Sequence, residues 1–203
     1  MSEIGTEPTM DQPDAQTSSP APNKRLHHLL FEWGIILLVA LVVSIGLRTF
    51  ALQTFYIPSG SMEPTLMVGD RIIVNKLSVD WGTIHRGDIL VFKSPPTENC
   101  GGTPVVDLVK RVIGLPGDKL ASVGNSIYVN GAKLNENWPH TEPLGNPIAT
   151  LANPIVVAPH HYFMMGDNHA DSCDSRMWGT ITRSDIIGKA FLRVWPVTRI
   201  GSL

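Results

Sequence analysis

Two serines separated by a glycine, Ser59-Gly60-Ser61, stand in the segment Y-I-P-S-G-S-M-E-P-T-L (Tyr56–Leu66), fenced by Pro58 and Pro64. A serine hydroxyl is a weak nucleophile until a base takes its proton. Histidine is the common base, but a neutral lysine can serve. A free lysine has a pKa of ~10.4, so at pH 8 only roughly one in 250 is neutral. Desolvation lowers a buried lysine by up to ~3–5 units, enough to make the neutral form dominant. Lys110 suits that requirement: it lies between Val109 and Val112–Ile113 in D-L-V-K-R-V-I-G-L-P-G-D (Asp107–Asp118). Lys93, Lys119 and Lys133 border turns and are expected in solvent. Side chains alternate along a strand, so Lys110 and Arg111 point to opposite faces, and one of them must face inward or into a cleft. A third segment, M-M-G-D-N-H-A-D-S-C-D-S-R-M-W (Met164–Trp178), gathers polar groups between two hydrophobic stretches. Taken singly, each has an ordinary reading: a Ser-Gly-Ser turn, an edge-strand lysine, an Asx-rich loop.

Other chemistries lack their motifs. The chain has no H-E-x-x-H, G-x-S-x-G, Walker-type phosphate loop or G-x-G-x-x-G. The seven histidines are scattered or sit in the pairs His27–His28 and His160–His161, and neither cysteine belongs to a C-x-x-C. No metal and no cofactor is therefore expected. A net charge of −2, without a basic stripe, argues against nucleic acid. Cys100 and Cys173 are either free buried thiols or, in an oxidising compartment, a bridge. In the chain-entropy model, closing so long a loop adds on the order of 4 kcal/mol.

These segments need elements to position them. Residues 1–28 form an N-terminal tail, and up to about Asn23 they are too poor in large apolar side chains to offset chain entropy, so disorder is expected there. The uncharged run Trp33–Leu47 gives a helix of roughly 22 Å, short of a ~30 Å hydrocarbon core. Flanking apolar residues bring it to spanning length over 29–52 if Glu32 and Arg48 snorkel at opposite interfaces. No small-x-small cleavage site follows, and a helix apolar all round needs more surrounding protein than this chain offers, so an uncleaved transmembrane helix is expected. Lys24 and Arg25 argue for a cytoplasmic N-terminus; Arg48 pulls weakly the other way. Beyond it, Arg71–Lys76, Asp88–Lys93, Asp107–Ile113 and Phe191–Trp195 are short β-branched or aromatic runs bounded by Gly, Pro or Asp. Ser126–Leu134 carries an Asn-Gly hairpin signal, and Glu136–Pro159 reads as a long proline-rich loop. The expectation is a mostly β, antiparallel catalytic domain over 53–203, preceded by one transmembrane helix. No helical period, internal repeat or coiled-coil heptad appears after the span.

Together the segments resemble the type I signal peptidases, membrane-anchored serine proteases that remove signal peptides from exported proteins. The matching stretches occur in family order: P-S-G-S-M-E-P-T-L at 58–66, G-D-I-L-V-F-K at 87–93, D-L-V-K-R-V-I-G-L-P-G-D at 107–118, M-G-D-N with S and D-S-R at 165–176, and I-I-G-K-A-F-L-R-V-W-P at 186–196. The resemblance implies that Ser61 is the nucleophile and Lys110 the general base. Ser59, with the Ser61 N–H, would hold the oxyanion, and Ser172 would orient the lysine. Asp174 and Arg176 would pair behind the site, with Asp167 in the same supporting box. Phe55, Ile57 and Val109 would line shallow pockets for small side chains at the first and third positions before the cut. The partners implied are signal-peptide-bearing preproteins and the lipid bilayer, with a monomeric enzyme whose catalytic domain is extracytoplasmic.

Two residues depart from the family pattern or adjoin the site. His169 stands where an arginine usually follows Gly-Asp-Asn, and Cys173 sits between Ser172 and Asp174. A Cys100–Cys173 bridge would tie the catalytic loop to the segment leading into the Lys110 strand. Three rivals remain at this level. A self-cleaving repressor-type Ser–Lys protease lacks a span. A sortase-like transpeptidase would use Cys173, whose acidic neighbours disfavour a thiolate. A non-catalytic, membrane-tethered β module would not need Ser61.

Overall fold

The computed structural model describes residues 24–46, 51–80, 82–101 and 106–203. The expected disorder of residues 1–23, and Leu47–Phe50 at the end of the expected span, lie outside these. The chain divides into two units, Met1–Val42 and Val43–Leu203.

In the first unit and just beyond it, α1 runs from Lys24 to Gly46. From Leu29 to Ile45 its Leu, Ile and Val side chains are exposed on every side, which fits a segment whose solvent is lipid. The stretch His28–Gly46 is the one helix among the described residues long and apolar enough to cross a membrane. The helix begins earlier than the expected span, and the expected end at Leu52 is corrected: Leu52 already opens the first strand.

The second unit is built on antiparallel strands. They are β1 (Leu52–Tyr56), β2 (Arg71–Asn75), β3 (Ile89–Lys93), β4 (Asp107–Gly114), β5 (Lys119–Val123), β6 (Ser126–Val129), β7 (Ala132–Lys133), β8 (Ile155–Val156), β9 (His161–Met165), β10 (Ile181–Thr182), β11 (Ile186–Trp195) and β12 (Gly201–Ser202). Two single-turn helices interrupt them, α2 (Leu77–Asp80) and α3 (Ser175–Trp178). The larger sheet has the order β1-β2-β11-β3-β4-β9-β10, with β12 also on β11; the smaller has β7-β6-β5-β8. The expected Asn-Gly hairpin joins β6 to β7. Asn130 and Gly131 both take positive φ, 54° and 83°, as a two-residue hairpin turn matched to strand twist requires.

Burial explains why β3 reads as an unbroken apolar run. Ile89 and Val91 enter a cluster with Ile57, Met62, Leu66, Ile72 and Val74. Leu90 and Phe92 enter another with Val112, Tyr162, Met164 and Trp178. A strand covered on both faces has no polar side to alternate with. β4 lies beside it, with Leu90 opposite Lys110 and Ile89 opposite Arg111. β9 takes over the far edge of β4 only from Arg111 onward. Among the described residues, the Asp107–Lys110 half of β4 thus keeps a free edge, and β1 is itself an edge strand.

Candidate active site

Ser59 is extended, and Gly60–Met62 makes one 3-10 turn, closed by the Glu63 N–H donating to the Gly60 carbonyl at 3.0 Å. Met62 and Leu66 are fully buried beneath that turn and anchor it to the core. The anchor holds Ser61 at the wall of a cavity of about 310 Å³, which Ser59 and Lys110 also line. The Ser59 and Ser61 hydroxyls are 3.4 Å apart.

Lys110 is 3% exposed and shares its face of β4 with Leu108 and Val112, both packed in the Leu90–Phe92 cluster. Its Nζ donates to the Ser172 hydroxyl at 3.0 Å. Among the described residues it enters no ion pair. Burial is the largest influence on the amine and lowers its pKa to about 8, with Arg176 adding in the same sense; Asp174, Asp167 and Asp171 oppose this from a distance. At that value about half the amines are neutral at pH 8 and roughly one in ten at pH 7.

Arg111, on the opposite face, is buried as well. The sequence demanded that one of the two cations turn inward; the structure buries both, because cores close over each side of β4. Arg111 meets Asp167 in a bidentate pair, Nε to Oδ1 at 2.7 Å and Nη2 to Oδ2 at 2.6 Å. Its Nη1 donates to the Gly87 carbonyl at 2.7 Å, and its guanidinium lies 5.0 Å from the Trp138 ring centre. Thr65, four residues past the proposed nucleophile, donates to the same carboxylate at 2.5 Å. Asp167 thus links β4 to the Ser61 segment. Arg111 and Thr65 are the partners sequence reasoning missed, since nothing local in the chain joins positions 65, 111 and 167.

The Ser172 loop is held from behind by Asp174 and Arg176. Arg176 donates Nε to Asp174 Oδ1 at 2.8 Å and Nη2 to Oδ2 at 2.7 Å. The same guanidinium caps the carbonyls of His169 and Ser172 at 2.9 and 3.3 Å, fixing the backbone on both sides of Asp171. Gly166 was not singled out from sequence, yet a Cβ there would collide with the Ser61 carbonyl and the Ser172 hydroxyl. Only a bare backbone lets the two loops approach. His169 is buried, with Nε2 3.3 Å from Glu136 Oε1 and its ring stacked on His140 at 5.2 Å. It faces that neighbouring segment rather than the cavity residues.

Phe55 and Ile57, at and just after the end of β1, and Val109 on the free half of β4 line the same cavity. An extended peptide could lie between these edges, using backbone pairing for affinity and side-chain pockets for selectivity. Cys100 and Cys173 are joined as a disulfide, Cα atoms 6.0 Å apart. Cys173 so paired offers no thiolate for a sortase-like reaction. All the residues expected to act therefore gather in the Val43–Leu203 unit.

The signal peptidase, peptidase S26, family matches residues 30–195. Among curated relatives, the probable signal peptidase I-2 of Synechocystis is 38% identical over 98% of this chain and 86% of its own length. The signal peptidase I of Leptolyngbya laminosa is 38% identical over 100% of this chain and 97% of its own. A solved signal peptidase I from Enterococcus faecalis is 28% identical, covering 53% of this chain and 96% of that one, with a TM-score of 0.42. On the family match and the two curated relatives, this chain belongs to the signal peptidase I family and is a membrane-anchored serine endopeptidase.

Proposed function

We propose that Ser61 and Lys110 form the catalytic dyad of this endopeptidase, and that it cuts signal peptides from exported preproteins after small-x-small motifs. The neutral Lys110 amine takes the Ser61 proton as Oγ attacks the carbonyl carbon before the cut. The Ser59 hydroxyl and the Ser61 N–H donate to the oxyanion that forms, a contribution of a few kcal/mol for such donors. The ammonium then returns the proton to the leaving amine as the peptide bond breaks. A water deprotonated by the amine hydrolyses the resulting ester and restores both side chains. Ser172 keeps the amine pointed at the serine. Phe55, Ile57 and Val109 admit small side chains and refuse large ones by clash.

The observation that carries this reading is the state of Lys110: buried, lowered to about 8, and hydrogen-bonded to a hydroxyl, with no ion-paired carboxylate among the described residues to keep it charged. We place the N-terminus in the cytoplasm and the 53–203 domain outside, the enzyme acting as a monomer without cofactor. From Gly46, the last described residue of α1, to Ser61 is fifteen residues, so the chain tethers the serine within at most ~54 Å of the helix end. The substrate's own apolar segment lies in the same bilayer, and tethering both partners there raises their effective concentration without new contacts. The test is incubation of the detergent-solubilised enzyme and its Ser61→Ala form with a preprotein, followed by sequencing of the new N-terminus. Cleavage after a small-x-small motif by the native enzyme alone is expected; cleavage by Ser61→Ala as well would remove the serine from the mechanism.

A further inference from the structure

Asn168 touches the Ser59–Ser61 turn twice. Its backbone N–H donates to the Ser61 carbonyl at 3.1 Å, and its side-chain Nδ2 donates to the Gly60 carbonyl at 3.2 Å. The Gly60 carbonyl belongs to the same peptide unit as the Ser61 N–H. That unit is trans, since the cis bonds among the described residues all precede prolines. In a trans peptide the C=O and N–H point to opposite sides of one rigid plane. A donor gripping the oxygen from one side therefore fixes where the hydrogen points on the other. The Ser61 N–H has no acceptor among the described residues, and Ser61 lines the cavity.

The amide is itself held the right way round. Thr141 Oγ1 donates to Asn168 Oδ1 at 2.9 Å, which leaves Nδ2 as the atom facing Gly60. Thr141 is fastened in turn, its N–H donating to the Asp167 carbonyl at 2.8 Å. A relay thus runs from Thr141 through the Asn168 amide to the Gly60–Ser61 peptide. From this we infer that Asn168 is a positioning residue for the reaction: together with the Glu63 N–H, which donates to the same carbonyl at 3.0 Å, it holds the peptide plane whose N–H receives the oxyanion. The inference rests on the reading of Ser61 as nucleophile and oxyanion donor. An oxyanion donor acts only when aimed at the place where charge develops, so the grip matters in the transition state more than in the bound substrate.

Asn168→Ala removes the side-chain grip and keeps the backbone bond to Ser61, so the turn stays in place. Its kcat on a signal-peptide substrate is expected to fall about 10- to 100-fold, less than outright removal of an oxyanion donor, with KM within about twofold and the thermal midpoint little changed. Thr141→Val, which frees the amide to flip, should lower kcat by roughly threefold to tenfold, while Thr141→Ser, which keeps the hydroxyl, should match the native enzyme. A kcat for Asn168→Ala within about twofold of native overturns the inference. So does a loss that falls on KM, or one that Thr141→Ser shares with Thr141→Val. Full cleavage by Ser61→Ala is a different result: it defeats the serine assignment, and this inference with it.

Discussion

Lys110 and Arg111 are consecutive on β4, both buried, and carry the same formal charge, yet their surroundings give them opposite chemistry. Arg111 has a carboxylate matched to its fork, a backbone carbonyl and an aromatic face, so its charge is matched by partners and it ties β4 to the Ser61 segment. Lys110 has apolar neighbours and one hydroxyl, so burial works against its charge and no direct ion pair among the described residues compensates. Burial alone does not make a cation a base; burial with the counter-ion withheld does. The alternation of the strand lets one short segment build a structural clamp on one side and, on the reading proposed above, a proton acceptor on the other.

Substitution of Lys110 tests the contrast most severely. Lys110→Arg and Lys110→Ala should each lose activity roughly a thousandfold, since guanidinium cannot yield its proton in this pH range. Both should remain folded by circular dichroism. An arginine variant within about tenfold of the native rate would contradict the assignment of the base.

Arg111→Met should act on the fold instead. It strands the Asp167 carboxylate in the core, at a cost of about 3–5 kcal/mol. Denaturant titration should show the loss, and Asp167→Asn added to it should recover part of the stability by removing the orphaned charge. An Arg111→Met protein as stable as the native one would break the comparison from that side.

Ser172→Ala should have the smallest of these effects, lowering kcat by roughly 10- to 100-fold with the thermal midpoint little changed. The lysine would remain buried but lose the hydroxyl that points it. A normal rate in this variant would show that Lys110 is oriented by packing alone.

How far the sequence could be read follows the range over which each feature acts. The apolar helix, the Asn-Gly hairpin and the β-branched strands were legible because their patterns repeat within a few residues. The burial of Lys110 was legible because a cation within the apolar strand V-K-R-V-I already states its conflict. The partner of Asp167 was not: Arg111 stands 56 residues away, and only the pairing of β4 with β9 brings the two together. β9 itself, H-Y-F-M-M, offers no alternation, because the cores cover Tyr162–Met165 on both faces. The need for glycine at 166 likewise arises from two loops meeting, which no local pattern records. His169, noted as a departure, makes its contact with Glu136, a residue of the long segment that offered no periodicity to read.

The central claim is that Lys110 serves as a base because burial lowers its pKa to about 8. A catalytic group that must be neutral makes kcat/KM fall about tenfold for each pH unit below its pKa. The most direct test records the Lys110 Nζ titration by NMR on selectively labelled enzyme, beside the pH dependence of kcat/KM. Both should turn over at one midpoint near 8. An amine titrating at the ordinary lysine value of ~10.4, with a rate that stays flat down to about pH 5, would contradict the account.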